Sequence, residues 1–377
     1  MGLTSTLEFI GTPVATRSAM TQAITPEVMA SAKLAGLTYS KHDRAGITRK
    51  HRGKGFVYFG PDGKRIADQE TIARINALVI PPAYREVWIC PSPRGHIQAM
   101  GKDARGRTQY RYHARWRKVR DEAKYERMML FGQRLPRIRT RVRRDLKLPG
   151  LGRRKVLATI VKLLETTLIR VGNEEYAKSN KSFGLTTIRN KHVKVNGTQI
   201  HFEFRGKSGV EHAIDITDKR LAKVICKCQD LPEQELFEYV DPDGTRHDIT
   251  SSDVNEYLHE IAGEEFTAKD FRTWAGTVLA AMALREFEAF DSEAQAKRNI
   301  VAAIESVAKQ LGNTRAVCRK CYIHPAILDT YMEGALVKSL NQKLEEKLRK
   351  RLKSLKPEEV AVMTLLHGRL SRQRRAK

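Results

Sequence analysis

At 377 residues the chain is too long for one compact core, and its 41% apolar content is enough to fill two or three. Lysine and arginine number 69 against 43 acidic residues, a formal charge of +26, so the expected partner is a polyanion, nucleic acid before membrane. No apolar run approaches the length of a spanning helix, the N-terminus does not read as a signal peptide, and five cysteines, an odd number, favour reduced thiols in a soluble, cytoplasmic protein.

Residues 1–25 are small and polar without a sustained period and read as a disordered leader, and Pro26 to about Leu37 suits a short helix. From Gly46 the texture changes. Gly53 to Phe59 followed by Gly60-Pro61-Asp62-Gly63-Lys64 reads as a strand and a turn; Val87–Cys90, His96–Met100 and Gln109–His113 add further strands to a β-rich module. In the last of these, basic residues interleave with aromatics. That pattern suits a surface meeting phosphate with arginine and a base or sugar with tyrosine, and suits equally an ordinary edge strand with solvated charges.

Between Arg115 and Arg127 the composition turns helical, which sets the domain boundary: a leader at 1–25, a β-rich domain at 26–118, and a mainly helical domain at 119–377 with a basic C-terminal helix and tail. Arg134 to Lys155 holds ten basic residues against one Asp, interrupted by Pro136, Pro149, Gly150 and Gly152. It reads as a solvated face or loop whose charge suits DNA phosphates. Val156 then opens an apolar-faced helix running to Ile169. Arg170, just beyond it, is either a helix C-terminal charge or a partly buried anion ligand.

His201 to Val210 reads as a hairpin with Lys207 at its tip. Gly206-Lys207-Ser208 is no phosphate-binding loop, because that pattern needs glycine where His201 stands. Thr267-Ala268-Lys269-Asp270 forms a capping box opening a helix with Arg272 in its first turn, where backbone N–H groups also favour an anion. Ser292 caps a helix stopped by Gly312 after Leu311. Leu336–Leu355 has the charge pattern of a solvated helix, and Arg369–Lys377 that of a basic tail. Cys226-x-Cys228 and Cys318-x-x-Cys321 make a poor zinc set, since the first spacing is unusual for zinc. Between Leu311 and Tyr322 a tyrosine ends a cationic segment. A phenol of pKa about 10 is ionised in roughly one molecule in a thousand at pH 7, so it serves as a nucleophile only where nearby positive charge activates it.

Taken together, the ordered segments resemble the type IB DNA topoisomerases, in the compact form of poxviruses and bacteria. Ile169–Tyr176 with Phe183–Thr187 looks like the family's first-arginine segment, and Phe204-Arg205-Gly206-Lys207 looks like its lysine hairpin. Lys269-Asp270-Phe271-Arg272-Thr273 is similar to its Lys-Asp-x-Arg-Thr segment, Gly312-Asn313-Thr314 through Tyr322 to its nucleophile segment, and Gly106-Arg107-Thr108-Gln109-Tyr110 to its N-terminal DNA-contacting strand. The resemblance covers roughly residues 40 to 330. Asn313 departs from it, standing where histidine is common; it keeps a neutral donor and loses an imidazolium.

The resemblance implies an α+β fold, a small β-rich N-terminal domain plus a mainly α-helical catalytic domain with a small antiparallel sheet. It implies relaxation of supercoiled duplex DNA through a 3′-phosphotyrosyl link at Tyr322. Arg170 and Arg272 would clamp the phosphate with Asn313, and Lys207 would protonate the leaving oxygen. Gln109, Tyr110, Tyr112, Arg107 and Lys269 would contact DNA. The scheme calls for no metal, ATP or other cofactor, and for a monomer closing on duplex DNA as a clamp. Two other readings compete. A tyrosine recombinase would carry His-x-x-Arg where this chain has Lys269-Asp270-Phe271-Arg272, and a non-catalytic architectural DNA-binding protein would leave no covalent product.

Overall fold

The computed structural model describes residues 26–40, 43–53, 55–104, 106, 108–231, 235–264, 266–287, 290–341 and 354–375. The leader at 1–25, Arg107, and most of the helix expected over Leu336–Leu355 lie outside the described residues. The chain divides into two compact units, one ending at Ala123 and one beginning at Lys124.

In the first unit a short helix α1 (Pro26–Leu34) precedes an antiparallel sheet of five strands, β1 (Ile47–Arg52), β2 (Gly55–Phe59), β3 (Arg85–Ile89), β4 (Ile97–Lys102) and β5 (Thr108–Tyr112), in the order β2-β1-β3-β4-β5. Helix α2 (Gln69–Ala77) begins where the Asp68 carboxylate accepts from the N–H groups of Glu70 and Thr71, and it adds Ile75 to a small core of Ile47, Val87, Ile89 and Ala99. Val87 and Ile89 are two apart, as a strand with one buried face requires. Among the described residues β5 is an edge strand, paired with β4 alone. The strands expected near Phe59, Trp88, Ile97 and Tyr110 are all present. β1 and α2 were not evident from composition.

A long helix, α3 (Ala114–Asp145), contains the unit division and enters the second unit. Phe131, Leu135, Ile138, Val142 and Leu146 recur at steps of three and four and are buried, which aligns one face of the helix with the core. The dense charge run is therefore not a loop. Most of it lies on α3, Pro136 included, and five of its arginines pair with acids outside their own element: Arg134 with Glu264, Arg139 with Glu165 and Glu359, Arg141 with Glu260, Arg153 with Asp253 and Glu256, and Arg154 with Glu260; Arg141 also pairs with Asp145 on its own helix. That part of the charge joins elements of the helical unit to one another.

Helix α4 (Arg153–Thr167) is buried at every position from Val156 to Val161, and the short α5 (Glu174–Asn180) follows. Strands β6 (Val193–Asn196), β7 (Gln199–Arg205) and β8 (Glu211–Thr217) form an antiparallel sheet whose central strand buries Ile200, Phe202 and Phe204 in strict alternation. Beyond it come α6 (Lys219–Gln229), a two-stranded ribbon of β9 (Glu238–Val240) and β10 (Arg246–Asp248), and α7 (Ser251–Ala262). The chain continues through α8 (Ala268–Glu286), α9 (Glu293–Leu311), α10 (Arg315–Cys321), α11 (Pro325–Met332), α12 (Leu336–Leu340) and α13 (Pro357–Arg375). The fold is the expected one, a β-rich N-terminal unit and a mainly helical unit with a small antiparallel sheet.

One expectation is corrected at the C-terminus. Arg369 to Arg375 are not a tail but the end of α13, whose Val362, Met363, Leu365 and Leu366 are buried. Arg369 bonds Glu333 through both terminal nitrogens, at 2.5 and 2.7 Å.

Candidate active site

Arg170 owes its position to the way α4 ends. Leu168 takes the left-handed conformation (φ 57°), which stops the helix and turns the chain inward; the turn is then fixed by Leu185 N–H donating to the Arg170 carbonyl at 2.9 Å and Thr186 N–H to that of Val171 at 2.7 Å. Nη2 of Arg170 donates to the Gly312 carbonyl at 3.0 Å and to Asn313 Oδ1 at 2.6 Å. Burial, and after it the charge of Arg272, draws this guanidinium below its ordinary pKa. The side chain reaches across to the segment that precedes Tyr322.

Arg272 sits on α8, whose start is fixed by Asp270. That carboxylate accepts from the Thr267 N–H at 2.8 Å and hydroxyl at 3.0 Å, and from Arg127 Nε and Nη2 at 3.2 Å each. Arg272 is only 4% exposed. Nη1 donates to the Leu168 carbonyl and Nη2 to the Leu311 carbonyl at 2.5 Å, the closing ends of α4 and α9, where partial negative charge favours a cation. Among the described residues its buried Nε has no partner, and neither Arg170 nor Arg272 makes an ion pair. Two neighbouring, largely buried cations without a carboxylate are costly unless an anion is to be bound.

Tyr322 is where α10 ends, its N–H bonded to the Cys318 carbonyl at 3.0 Å. Thr277, fully buried on α8, donates its hydroxyl to the Tyr322 carbonyl at 3.0 Å and accepts the His324 N–H at 3.0 Å, so one side chain brackets the backbone on both sides of Ile323. The Tyr322 ring lies with its centroid 5.4 Å from the Arg272 guanidinium carbon. The structure thus brings Arg170, Arg272, Asn313 and Tyr322 together from three segments of the chain.

Lys207 is placed differently. It stands exposed at the tip of the β7–β8 hairpin, which Gly206 N–H closes on the Val210 carbonyl at 2.7 Å, and its Nζ lies 5.7 Å from the centroid of the Tyr176 ring. Between the hairpin and Gly312 lies His212 of β8, stacked on Phe204 with centroids 5.0 Å apart. Burial, then the charges of Arg170 and Arg272, lowers the imidazole pKa, so the ring is neutral near pH 7. Sequence reasoning missed both Thr277 and His212. Neither belongs to a recognised motif; only the place of His212 in the alternation of β8 marked it as facing Phe204 and not solvent.

Lys269 is exposed in the first turn of α8. On β5, Tyr110 is 41% exposed and stacks on Tyr112 at 5.9 Å, while Gln109 donates to Asp103 at 3.0 Å. Cys226 and Cys228 belong to α6 and Cys318 and Cys321 to α10. Among the described residues no group of three or more His, Cys, Asp or Glu could hold a metal ion, and no helix is long and apolar enough to cross a membrane.

Two family models match the chain. Residues 113–352 match the model of the eukaryotic DNA topoisomerase I catalytic core, and residues 55–103 that of the bacterial DNA topoisomerase IB N-terminal domain. The chain is 33% identical over 301 residues to the DNA topoisomerase 1B of Acanthamoeba polyphaga mimivirus, covering 78% of this chain and 90% of the viral one. It is 24% identical over 253 residues to the DNA topoisomerase 1B of Vaccinia virus (strain Copenhagen), covering 65% and 75%.

Proposed function

The chain belongs to the type IB DNA topoisomerases, enzymes that relax DNA, and from that premise we propose that it does so through a covalent 3′-phosphotyrosyl intermediate at Tyr322. The observation that carries the reading is the pair of neighbouring guanidiniums that make no ion pair among the described residues, that of Arg272 lying 5.4 Å from the centroid of the Tyr322 ring. The Tyr322 oxygen attacks the backbone phosphorus, its proton passing to water, and negative charge spreads over the non-bridging oxygens. Positioning and fixed positive charge are what such a transfer needs. Arg170 and Arg272 answer that charge, and Asn313, already bonded to Arg170, adds a neutral amide donor.

As the phosphorus–O5′ bond breaks, Lys207 Nζ gives a proton to the departing oxygen as general acid. One phosphoester is exchanged for another, so no bond energy is lost to water and no ATP is needed; the free 5′ end rotates and then attacks the phosphotyrosine in reverse. The guanidiniums supply the charge, and the scheme runs without a metal ion. The β-rich unit, through Gln109, Tyr110, Tyr112 and Arg107, and Lys269 of the helical unit contact the duplex, chiefly its backbone, as a monomeric clamp. Detergent trapping with end-labelled duplex tests the chemistry. Protein linked to the 3′ end of the nick is expected, and linkage to the 5′ end would rule this scheme out.

A further inference from the structure

His212 takes no part in the scheme above, yet its ring is wedged between the two segments that the scheme needs in register. A Cβ built on Gly206 would lie 2.6 Å from His212 Cδ2 and Nε2, and one built on Gly312 would lie 2.6 Å from Cε1 and 3.2 Å from Nε2. Real Cβ contacts do not come so close, so neither position has room for a side chain. Gly312 further needs its left-handed φ of 55° to stop α9. The backbones of the lysine hairpin and of the nucleophile segment therefore meet on one edge of one imidazole, whose face is stacked on Phe204 at an interplanar angle of 18°.

Each glycine adjoins a group the chemistry uses. Gly206 precedes Lys207, and the Gly312 carbonyl accepts from Arg170 while the next residue, Asn313, holds the same guanidinium. Among the described residues the ring nitrogens of His212 make no hydrogen bond, so the link is one of shape. Charge enters only as a condition: beside Arg170 and Arg272 the ring is tolerated because it is neutral.

Resting on the reading of Lys207 as general acid, we infer that His212 is a positioning residue, which sets the Lys207 hairpin in register with Gly312 and Asn313 so that the lysine reaches the leaving oxygen. Leaving-group chemistry isolates this role. In a duplex whose scissile O5′ is replaced by sulfur, the leaving thiolate departs without a proton, and placement of the acid ceases to matter.

On the ordinary duplex, His212→Ala should slow single-turnover covalent adduct formation about 100-fold, the scale of a small misplacement of a reacting group. Lys207→Ala should slow it by roughly 100-fold or more, and on the sulfur duplex both variants should return to within about tenfold of wild type. His212→Gln, planar, neutral and of similar reach, should keep most of the rate on the ordinary duplex. Recovery of Lys207→Ala without recovery of His212→Ala would overturn the positioning role, since a damaged arginine clamp or a loosened fold persists whichever atom leaves. A wild-type rate for His212→Ala would overturn it as well. If Lys207→Ala itself fails to recover, the general-acid reading falls, and the inference with it.

Discussion

Thr277 holds the proposed nucleophile, Tyr322, by its backbone. Its hydroxyl donates to the Tyr322 carbonyl and accepts the His324 N–H, both at 3.0 Å, in a site without solvent exposure. Valine has nearly the same shape and neither bond, so Thr277→Val leaves a buried carbonyl and N–H unpaired. Stability should fall by about 1–3 kcal/mol in denaturant unfolding, and single-turnover cleavage should slow, while Thr277→Ser stays near wild type in both. Equal cleavage by the valine and serine variants would show that the bracket has no part in placing Tyr322.

The same residues show how much of the site could be read beforehand. Arg170, Arg272, Asn313 and Tyr322 are legible because their segments carry recognisable order and spacing, and the structure brings them together. Thr277 and His212 act by filling one place between elements distant in sequence. Nothing in a single chain records that Gly206 and Gly312 will close on the same ring. Nor could the sequence assign the partners of Arg272, which are main-chain carbonyls at the ends of α4 and α9.

Elements were legible where a local rule decides them. The Thr267–Asp270 box opens α8, Ser292 caps α9, and Gly312 ends it in the left-handed region, as their side-chain chemistry implies. β1 was missed because it carries Arg49, Lys50, His51 and Arg52 in succession and buries only Ile47. The end of α13 was mistaken for a tail because its arginines mask the buried Val362, Met363, Leu365 and Leu366.

The start of α11 gives a pH prediction. His324 caps this helix with Nδ1 accepting the Ala326 N–H at 3.0 Å, a bond that requires the unprotonated nitrogen. Burial, and then Lys124 and Arg369, holds its pKa down at about 4. A folded pKa below the ordinary 6.5 means that the unfolded chain takes up the proton first. The contribution of the neutral cap is thus present above pH 6.5 and is lost as pH falls toward 4, by about 3 kcal/mol in all. Thermal unfolding between pH 7 and pH 4 should show this loss, and His324→Asn, which keeps a capping acceptor that does not titrate, should flatten the curve. An unchanged slope in that variant would place the acid sensitivity elsewhere.

For the molecule as a whole, a charge of +26 is a sound guide to a polyanionic partner and a poor guide to where that partner binds. The densest cationic run is largely spent on ion pairs that join α3 and α4 to neighbouring helices. The proposed chemistry rests on two arginines that the sequence places about a hundred residues apart and that make no ion pair among the described residues. Relaxation of positively and negatively supercoiled plasmid, in EDTA and without ATP, tests this account most directly. Wild-type protein should relax both forms, and Tyr322→Phe should relax neither while still binding duplex DNA. No relaxation by the wild type, or equal relaxation by Tyr322→Phe, would contradict it.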